Sequence, residues 1–352
     1  MLTQAIGEAL CLVRERAGAQ EWEVRVVGGQ TRQALCYPTL TGAVRPGDQV
    51  LLNTTAQTLA LGTGGYDFVR ANLTTTGAKN GEQDGESLGA AYQRNDGHII
   101  KARYLPCQHA VLTLEEQKEH ASVWERTLEN FPVLVGQLHS QIAPAAAALS
   151  LSGKKSVAYV MTDGAALIAG FSRLVGQLKE ANLLHAVFTC GQASGGDYET
   201  VTLHSALLAA KHIARCDAAI VCQGPGNAGT GTRYGFSGME QAQNLDIVRA
   251  LGGKPIAVVR MSEADPRARH QGVSHHTCTS LDMAYARCIV PVPLGADIRK
   301  LPPGHDIREI GGTQAALDLL TARQIKVSTM GRTPEQDPLF FHAAAAAGLV
   351  TE

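Results

Sequence analysis

Residues 218–237 contain, in one uninterrupted run, the pattern of a strand, a glycine-rich loop and a helix start. Residues 218–222 are apolar and have the length of a buried strand. Glycine then occurs at positions 224, 226, 229, 231 and 235. Ser237 and Glu240 have the spacing of a capping box, in which the serine hydroxyl accepts a helix amide and the glutamate accepts the serine amide. This order predicts a β-loop-α unit and therefore an α/β fold.

The alternation of strand and helix continues from residue 155 to the end of the chain. Apolar, strand-like runs occur at residues 157–161, 185–190, 218–222, 255–260 and 288–293, with helical spacing of apolar residues between them. Strands joined by helices form a parallel sheet with right-handed crossovers. We therefore expect a Rossmann-like open parallel sheet domain, in which ligands bind at the carboxyl ends of the strands.

The N-terminal part of the chain has a different pattern. Residues 20–27 alternate apolar and charged side chains, as a half-buried strand does, and a Gly28-Gly29 turn follows. Short strands separated by turns predict a small, β-rich, barrel-like domain. We expect three regions, which are the β-rich domain over residues 1–108, a helical connection over residues 109–152, and the Rossmann-like α/β domain over residues 153–352. A capping box at Thr113 opens the helical connection, and Pro132 interrupts it.

Composition limits the classes of partner. The 352 residues contain 31 Lys+Arg and 32 Asp+Glu, so no basic excess favours a nucleic-acid partner. No apolar stretch approaches the length of a membrane span, and the N-terminus lacks a signal-peptide pattern. The eight cysteines form no C-x-x-C pair. We therefore expect a reduced, cytoplasmic protein with no membrane partner, whose cysteines are small core residues.

The glycine-rich loop is the first candidate site. Residues 224–229 match G-x-G-x-x-G after a predicted strand, but they follow the third strand of the domain and precede the helix start, so the standard dinucleotide interpretation is not favoured. The cofactor stays unknown. Backbone amides before a helix bind phosphate or carboxylate. The predicted ligand-binding residues of the loop are Gly224, Gly226, Asn227, Gly229, Thr230, Gly231 and Thr232. The alternative is a structural loop whose glycines adopt positive φ angles.

The second candidate lies in residues 260–279, which combine arginines and histidines between a predicted strand and a helix. We expect Arg260 and Arg269 to bind the anion. His270, His275 and His276 are the predicted catalytic residues, because neutral imidazoles accept and return protons. The alternative is a polar loop in which the histidines hydrogen-bond to the backbone at the helix start.

A metal site is a further interpretation of the same histidines. With Asp265 and Cys278 they have suitable ligand atoms, but their spacing matches no known zinc pattern, so we assign no residue to a metal. Asp163 follows the first predicted strand of the α/β domain and is included among the ligand-binding residues. Its alternative role is that of an ordinary turn residue.

Four segments resemble a bacterial family that is known only as a domain of unknown function. They are residues 37–56 (YPTLTGAVRPGDQVLLNTTA), 61–66 (LGTGGY), 223–238 (QGPGNAGTGTRYGFSG) and 269–277 (RHQGVSHHT). The resemblance covers most of the chain and implies a bacterial, cytoplasmic protein. It implies no activity, so no catalytic residue is transferred from it.

The function that we expect is the binding of a small phosphorylated or carboxylated ligand at the strand ends, by an enzyme or an enzyme-like protein. One alternative is a non-catalytic nucleotide-sensing or assembly protein that uses the same pocket. Another is a metal-dependent hydrolase built on His270, His275 and His276. The expected partner is a small anionic molecule, and a homo-oligomer is left open. The sequence does not decide whether catalysis occurs.

Overall fold

A computed structural model describes residues 2–60, 64–76, 97–105, 107–164 and 168–350. The chain divides into two compact units, residues 1–112 and residues 113–352. Each unit has its own sheet, and the two sheets differ in kind. The three-part domain division that we expect from the sequence stays a prediction.

The first unit contains a closed barrel of five strands. They are β1 (Gln4–Arg16), β2 (Ala19–Val26), β3 (Thr31–Cys36), β4 (Gln49–Asn53) and β5 (Asp67–Asn72). The barrel order is β1-β2-β3-β5-β4, and it closes because β1 pairs with both β2 and β4. Trp22, Val24 and Val26 lie in its core, on the face that their alternation with charged residues predicts. The barrel-like N-terminal fold is therefore confirmed.

Short elements complete the first unit. They are the helices α1 (Pro38–Thr41), α2 (Thr55–Thr58) and α3 (Leu73–Thr76) and the hairpin of β6 (Ile99–Lys101) with β7 (His109–Val111).

The second unit is built on an open sheet of eight parallel strands. They are β8 (Pro132–Val135), β9 (Val157–Thr162), β10 (Ala186–Thr189), β11 (Tyr198–Glu199), β12 (Ala218–Gln223), β13 (Lys254–Ala257), β16 (Ile289–Pro293) and β17 (Asp306–Ile310). A separate ribbon pairs β14 (Met261–Ser262) with β15 (Gly272–Val273). The helices are α4 (Ile142–Leu151), α5 (Arg173–Glu180), α6 (Leu203–His212), α7 (Glu240–Ala250), α8 (His275–Met283), α9 (Gln314–Ala322) and α10 (Pro338–Leu349).

Helices cover both faces of this sheet. One apolar layer joins the sheet to α4, α5, α9 and most of α10, and the other joins it to α6, α7 and α8. Along β12, Ile220 and Cys222 face the first layer, whereas Ala219 and Val221 face the second. Burial on both faces explains why the strands of the sheet appear in the sequence as continuous apolar runs.

The strand order is β11-β10-β9-β12-β8-β13-β16-β17. The chain first moves from β8 to β9 and outward to β11, then returns to insert β12 between β9 and β8, and then continues from β13 on the other side of β8. In the standard Rossmann order the first two strands are neighbours, whereas β12 separates them here. The open parallel α/β sheet is confirmed, but a Rossmann-like identity is not. The reversal at β8 and β12 places the expected ligand crevice at the carboxyl ends of these strands.

One segment of the predicted helical connection is a strand. Residues 132–135 form β8, which is paired on both sides by β12 and β13. We expected Pro132 to interrupt a helix, but it is the first residue of this strand, where a missing amide is tolerated. The capping box at Thr113 is present. In the part of the chain that the structure describes, no helix is long and apolar enough to cross a membrane.

Candidate functional site

The predicted histidines and the predicted glycine loop meet in the structure. The ring of Phe236, at the end of the loop, stacks on His276 with centroids 3.7 Å apart and an interplanar angle of 5°. Gly229 lies against the same imidazole, since a Cβ built there would be 3.7 Å from His276 Cε1. Residues 224–236 and 260–276 therefore lie together beyond the carboxyl ends of β12 and β13.

The start of α8 arranges the three imidazoles. Ser274 is the N-cap residue, and its Oγ accepts the amide of His276 at 3.2 Å. The same Oγ lies 2.7 Å from Nδ1 of His270. One ring nitrogen from each of His270, His275 and His276 lies within 4.8 Å of the other two. A serine cap thus begins the helix and holds the buried His270 beside it.

The three histidines are neutral near pH 7. Burial lowers the pKa of His270 to about 3 and that of His276 to about 2, and the positive charge of Arg260 adds to both shifts. Burial also lowers the pKa of His275, and Arg269 contributes next. Nε2 of His270 and Nε2 of His275 are buried and have no hydrogen-bond partner among the described residues. Unpaired buried nitrogens are costly, so this pair points to a ligand or a transferred proton.

Arg260 lies behind His276. Arg260 is 2% exposed, and its Nη1 donates a hydrogen bond to Nδ1 of His276 at 3.2 Å. Its Nη2 is 3.3 Å from Oδ2 of Asp265, a fully buried carboxylate. Burial lowers the pKa of Arg260 to about 10, against the effect of Asp265, so the guanidinium stays charged. Arg260 therefore acts on the site through the orientation and tautomer of His276.

Asp265 is the centre of an arginine network. Besides Arg260, its Oδ2 contacts Arg267 Nη2 at 2.8 Å and Arg332 Nη2 at 3.7 Å. Burial alone would raise the pKa of Asp265, but the hydrogen bonds and charge of Arg267 outweigh it and hold the pKa well below the usual range. Arg332 also pairs with Asp337 at 3.0 Å. Both carboxylates are therefore already occupied by guanidinium groups.

Arg269 lies over the tip of the glycine loop. A Cβ built on Gly231 would be 3.4 Å from the Arg269 Cζ. Gly231 has a φ of +86°, a left-handed backbone conformation that favours glycine at this position. Arg269 makes no ion pair within the described residues. Arg260 and Arg267 both pair with Asp265, so Arg269 differs from them in having no carboxylate partner among the described residues.

The glycine loop is tied by its own hydrogen bonds. Thr230 N donates to Gly235 O at 2.8 Å, and Gly235 N donates to Thr232 Oγ1 at 3.2 Å. Asn227 Oδ1 accepts Gln223 Nε2 at 2.7 Å and Ser237 Oγ at 2.8 Å. The threonines and the asparagine thus hold the loop in shape.

The glycines of the loop differ in position. Gly224 is buried at the end of β12, and Gly226 is exposed with a φ of +107°. Gly229 and Gly231 are the loop residues that lie against His276 and Arg269. The half of the loop that begins at Gly229, its distal half, is therefore the part nearest to these side chains.

The capping box that we predicted at Ser237 and Glu240 is wrong. Ser237 Oγ accepts the amide of Ala228 at 3.0 Å, so it closes the loop instead of capping α7. Glu240 accepts Thr162 Oγ1 at 2.5 Å, at the end of β9. Burial raises the pKa of Glu240 to about 7, with Asp163 adding to the rise and the Thr162 hydrogen bond opposing it. Sequence reasoning missed Glu240 as a site residue, because its spacing from Ser237 already had a local explanation.

Asp163 lies at another part of the same sheet edge. Its Oδ2 accepts the amide of Gln192 at 3.0 Å, which holds the turn that follows β10. Asp163 is exposed, and it acts electrostatically on Glu240. The structure thus associates Asp163 with Glu240, whereas the predicted histidines and Arg269 lie together at the distal half of the loop.

The fold and the site define an α/β protein with an arginine- and histidine-rich site at the carboxyl edge of a parallel sheet. The family model described as protein of unknown function (DUF3866) matches residues 33–348, and the chain belongs to this family. No curated protein matches the sequence.

A solved structure matches the chain weakly. It is the crystal structure of a mandelate racemase/muconate lactonizing protein from Herpetosiphon aurantiacus, with 15% identity over 99% of this chain and 85% of that chain. The TM-score is 0.20. A likeness at this level supports no conclusion about fold or function.

Proposed function

We propose that the protein binds a small phosphorylated or carboxylated ligand at the carboxyl edge of its parallel sheet, and that its histidines exchange protons with that ligand. The observation that carries the proposal is the position of Arg269. Its guanidinium lies over Gly231, beside three neutral imidazoles, and makes no ion pair within the described residues. Guanidinium groups bind phosphate and carboxylate through paired, charge-assisted hydrogen bonds.

Charge supports an anion over a cation. Within the described ranges of the chain, the network around the histidines contains four guanidinium groups and two carboxylates. The guanidinium groups belong to Arg260, Arg267, Arg269 and Arg332, and the carboxylates belong to Asp265 and Asp337. Positive charge therefore exceeds negative charge in this network, which attracts an anionic ligand and strengthens its hydrogen bonds.

Proton transfer is the chemistry that the histidines can add. His270 and His275 are neutral, and each has a buried Nε2 with no hydrogen-bond partner among the described residues, so either can exchange a proton with a bound ligand. His275 is half-buried, whereas His270 is almost fully buried. His275 is thus the better candidate for direct contact, with His270 behind it.

The Rossmann-like assignment and the cytoplasmic location belong to the same proposal. The all-parallel sheet with helices on both faces, and a reversal of strand order at the site, support the first. All eight cysteines are free thiols. Five of them are buried, as expected of core residues in a reducing compartment, whereas Cys278 is half-buried and Cys11 and Cys107 are exposed, so these three are not core residues.

A metal-dependent hydrolase is the second candidate. Its support is the set of three imidazole nitrogens within 4.8 Å of one another. Two features count against it. Arg260 donates to Nδ1 of His276, so that Nε2 of the same ring carries hydrogen and offers no lone pair to a metal. The surrounding guanidinium groups also repel a cation.

A thermal-shift screen tests the proposal. The purified protein is heated with inorganic phosphate, sugar phosphates, nucleotides, coenzyme A and small carboxylates, because a ligand of the folded state raises the melting temperature. We expect a selective rise with one anionic class. No rise with any of them would contradict the proposal. Binding without turnover of the selected ligand would assign the protein to the non-catalytic alternative.

A further inference from the structure

A second group of polar atoms lies at the ends of β9 and β12. Gln223 is fully buried, and its Nε2 donates to Gln137 O and to Asn227 Oδ1, each at 2.7 Å. Both partners are acceptors, so they determine the orientation of the amide. Oε1 of Gln223 must then point away from them, and it is buried with no hydrogen-bond partner in the part of the chain that the structure describes.

Glu240 points to the same place. A Cβ built on Gly164 would lie 2.7 Å from Gln223 Oε1 and 2.8 Å from Glu240 Oε2. The two oxygens therefore converge on the side of Gly164 where a larger residue would place its Cβ. The other carboxylate oxygen of Glu240 accepts Thr162 Oγ1, which holds the group in position.

We propose that the oxygens of Glu240 and Gln223 bind a divalent cation of the Mg²⁺ or Mn²⁺ class. Carboxylate and amide oxygens are the ligands that these hard cations prefer. Glu240 pairs with no guanidinium or ammonium group among the described residues, and Asp163 adds a second carboxylate to its electrostatic surroundings. This part of the sheet edge is thus acidic, in contrast to the arginine-rich part around the histidines.

A cation at Glu240 would belong to the proposed anion site, but its binding is measured without any anion. Mg²⁺ in proteins is commonly held by one or two carboxylates together with the phosphate of a ligand. Asn227 connects the two parts of the edge, because it accepts Gln223 Nε2 and belongs to the loop that reaches His276. A cation at Glu240 therefore lies along the same loop as the proposed anion site.

The test measures the metal alone. Mn²⁺ is titrated into the full chain without any anion, and the free ion is followed by its electron paramagnetic resonance signal. We expect Glu240→Gln to weaken Mn²⁺ binding by about tenfold to a hundredfold. Gly164→Ala is expected to have a similar effect, because its Cβ displaces both oxygens. Gly176→Ala is the matched control, since a Cβ at Gly176 meets nothing within 4 Å.

The outcomes separate this inference from the proposed function. Loss of Mn²⁺ binding in Glu240→Gln and its retention in His275→Ala support the oxygen site, whatever the anion screen shows. No Mn²⁺ binding by the wild type, or equal binding by wild type and Glu240→Gln, overturns it. Loss of binding in His275→Ala alone also overturns it and assigns the metal to the histidines. Circular dichroism of each variant confirms that the fold is retained.

Discussion

The buried carboxyl of Glu240 makes a sharp prediction about the pH dependence of stability. Its folded-state pKa of about 7 exceeds the ordinary glutamate value of 4.5, and the main cause is burial. A raised carboxyl pKa means that the folded state favours the protonated form. The stabilisation is therefore full below pH 4.5 and is lost as the pH rises through 7. Tyr159 and Cys222, its titratable neighbours, have pKa values raised well above their usual range and stay neutral throughout.

The magnitude follows from the shift. One pKa unit corresponds to about 1.4 kcal/mol in the free energy of unfolding. Because the pKa rises from 4.5 to about 7 on folding, wild type loses most of the Glu240 contribution to this free energy when the pH rises from 5 to 8. Glu240→Gln cannot ionise and removes this contribution. We expect the free energy of unfolding of the variant, relative to wild type, to increase by about 2 kcal/mol between pH 5 and pH 8.

Urea unfolding at several pH values provides the assay. The chain has two tryptophans, Trp22 in the barrel and Trp124 in the second unit. In a Trp22→Phe background, the fluorescence of Trp124 reports on the unit that contains Glu240. Glu180→Gln, at an exposed site at the end of α5, is the matched control and is expected to keep the pH dependence of wild type. An equal effect of Glu240→Gln at pH 5 and pH 8 would refute the reasoning.

Three further substitutions test the histidine and arginine site. Asp265→Asn breaks a fully buried ion-pair centre and should lower the free energy of unfolding by about 3–5 kcal/mol, measured in urea. Gly231→Ala forces a left-handed backbone conformation at the loop tip; a fall of roughly 1–2 kcal/mol in thermal unfolding is expected, and an unchanged value would contradict the assigned φ. His275→Ala should leave the zinc content of the purified protein unchanged by elemental analysis while it weakens anion binding; zinc that is present in wild type and lost in the variant would favour the hydrolase alternative.

Much of the fold was accessible from the sequence because its signals are local. The alternation of Trp22, Val24 and Val26 with charged residues predicts a half-buried strand, and this strand belongs to the barrel. The apolar runs that end in glycine loops predict the parallel sheet. The position of β12 between β9 and β8 was not predictable, because strand order depends on contacts between distant segments.

The site was predictable in its composition but not in its arrangement. Residues 260–276 and the glycine loop were identified as separate motifs, and only the fold shows that Phe236 stacks on His276. Glu240 was assigned to a capping box on its spacing from Ser237. Tertiary partners override that local preference, because Ser237 closes the loop and Thr162 holds the carboxylate. Pro132 was wrongly assigned because proline fits two local structures. It can interrupt a helix, and it can also be the first residue of a strand, as it is here.

Calorimetric titration of the best anion from the screen into Arg269→Gln tests the central claim most directly. Loss of a charge-assisted hydrogen bond should weaken binding by about tenfold to a hundredfold. Arg287→Gln is the matched control, because Arg287 is exposed and precedes β16, at the opposite edge of the parallel sheet. The account predicts that wild type and Arg287→Gln bind alike and that Arg269→Gln binds much more weakly. Equal affinity of all three proteins for the anion would contradict it.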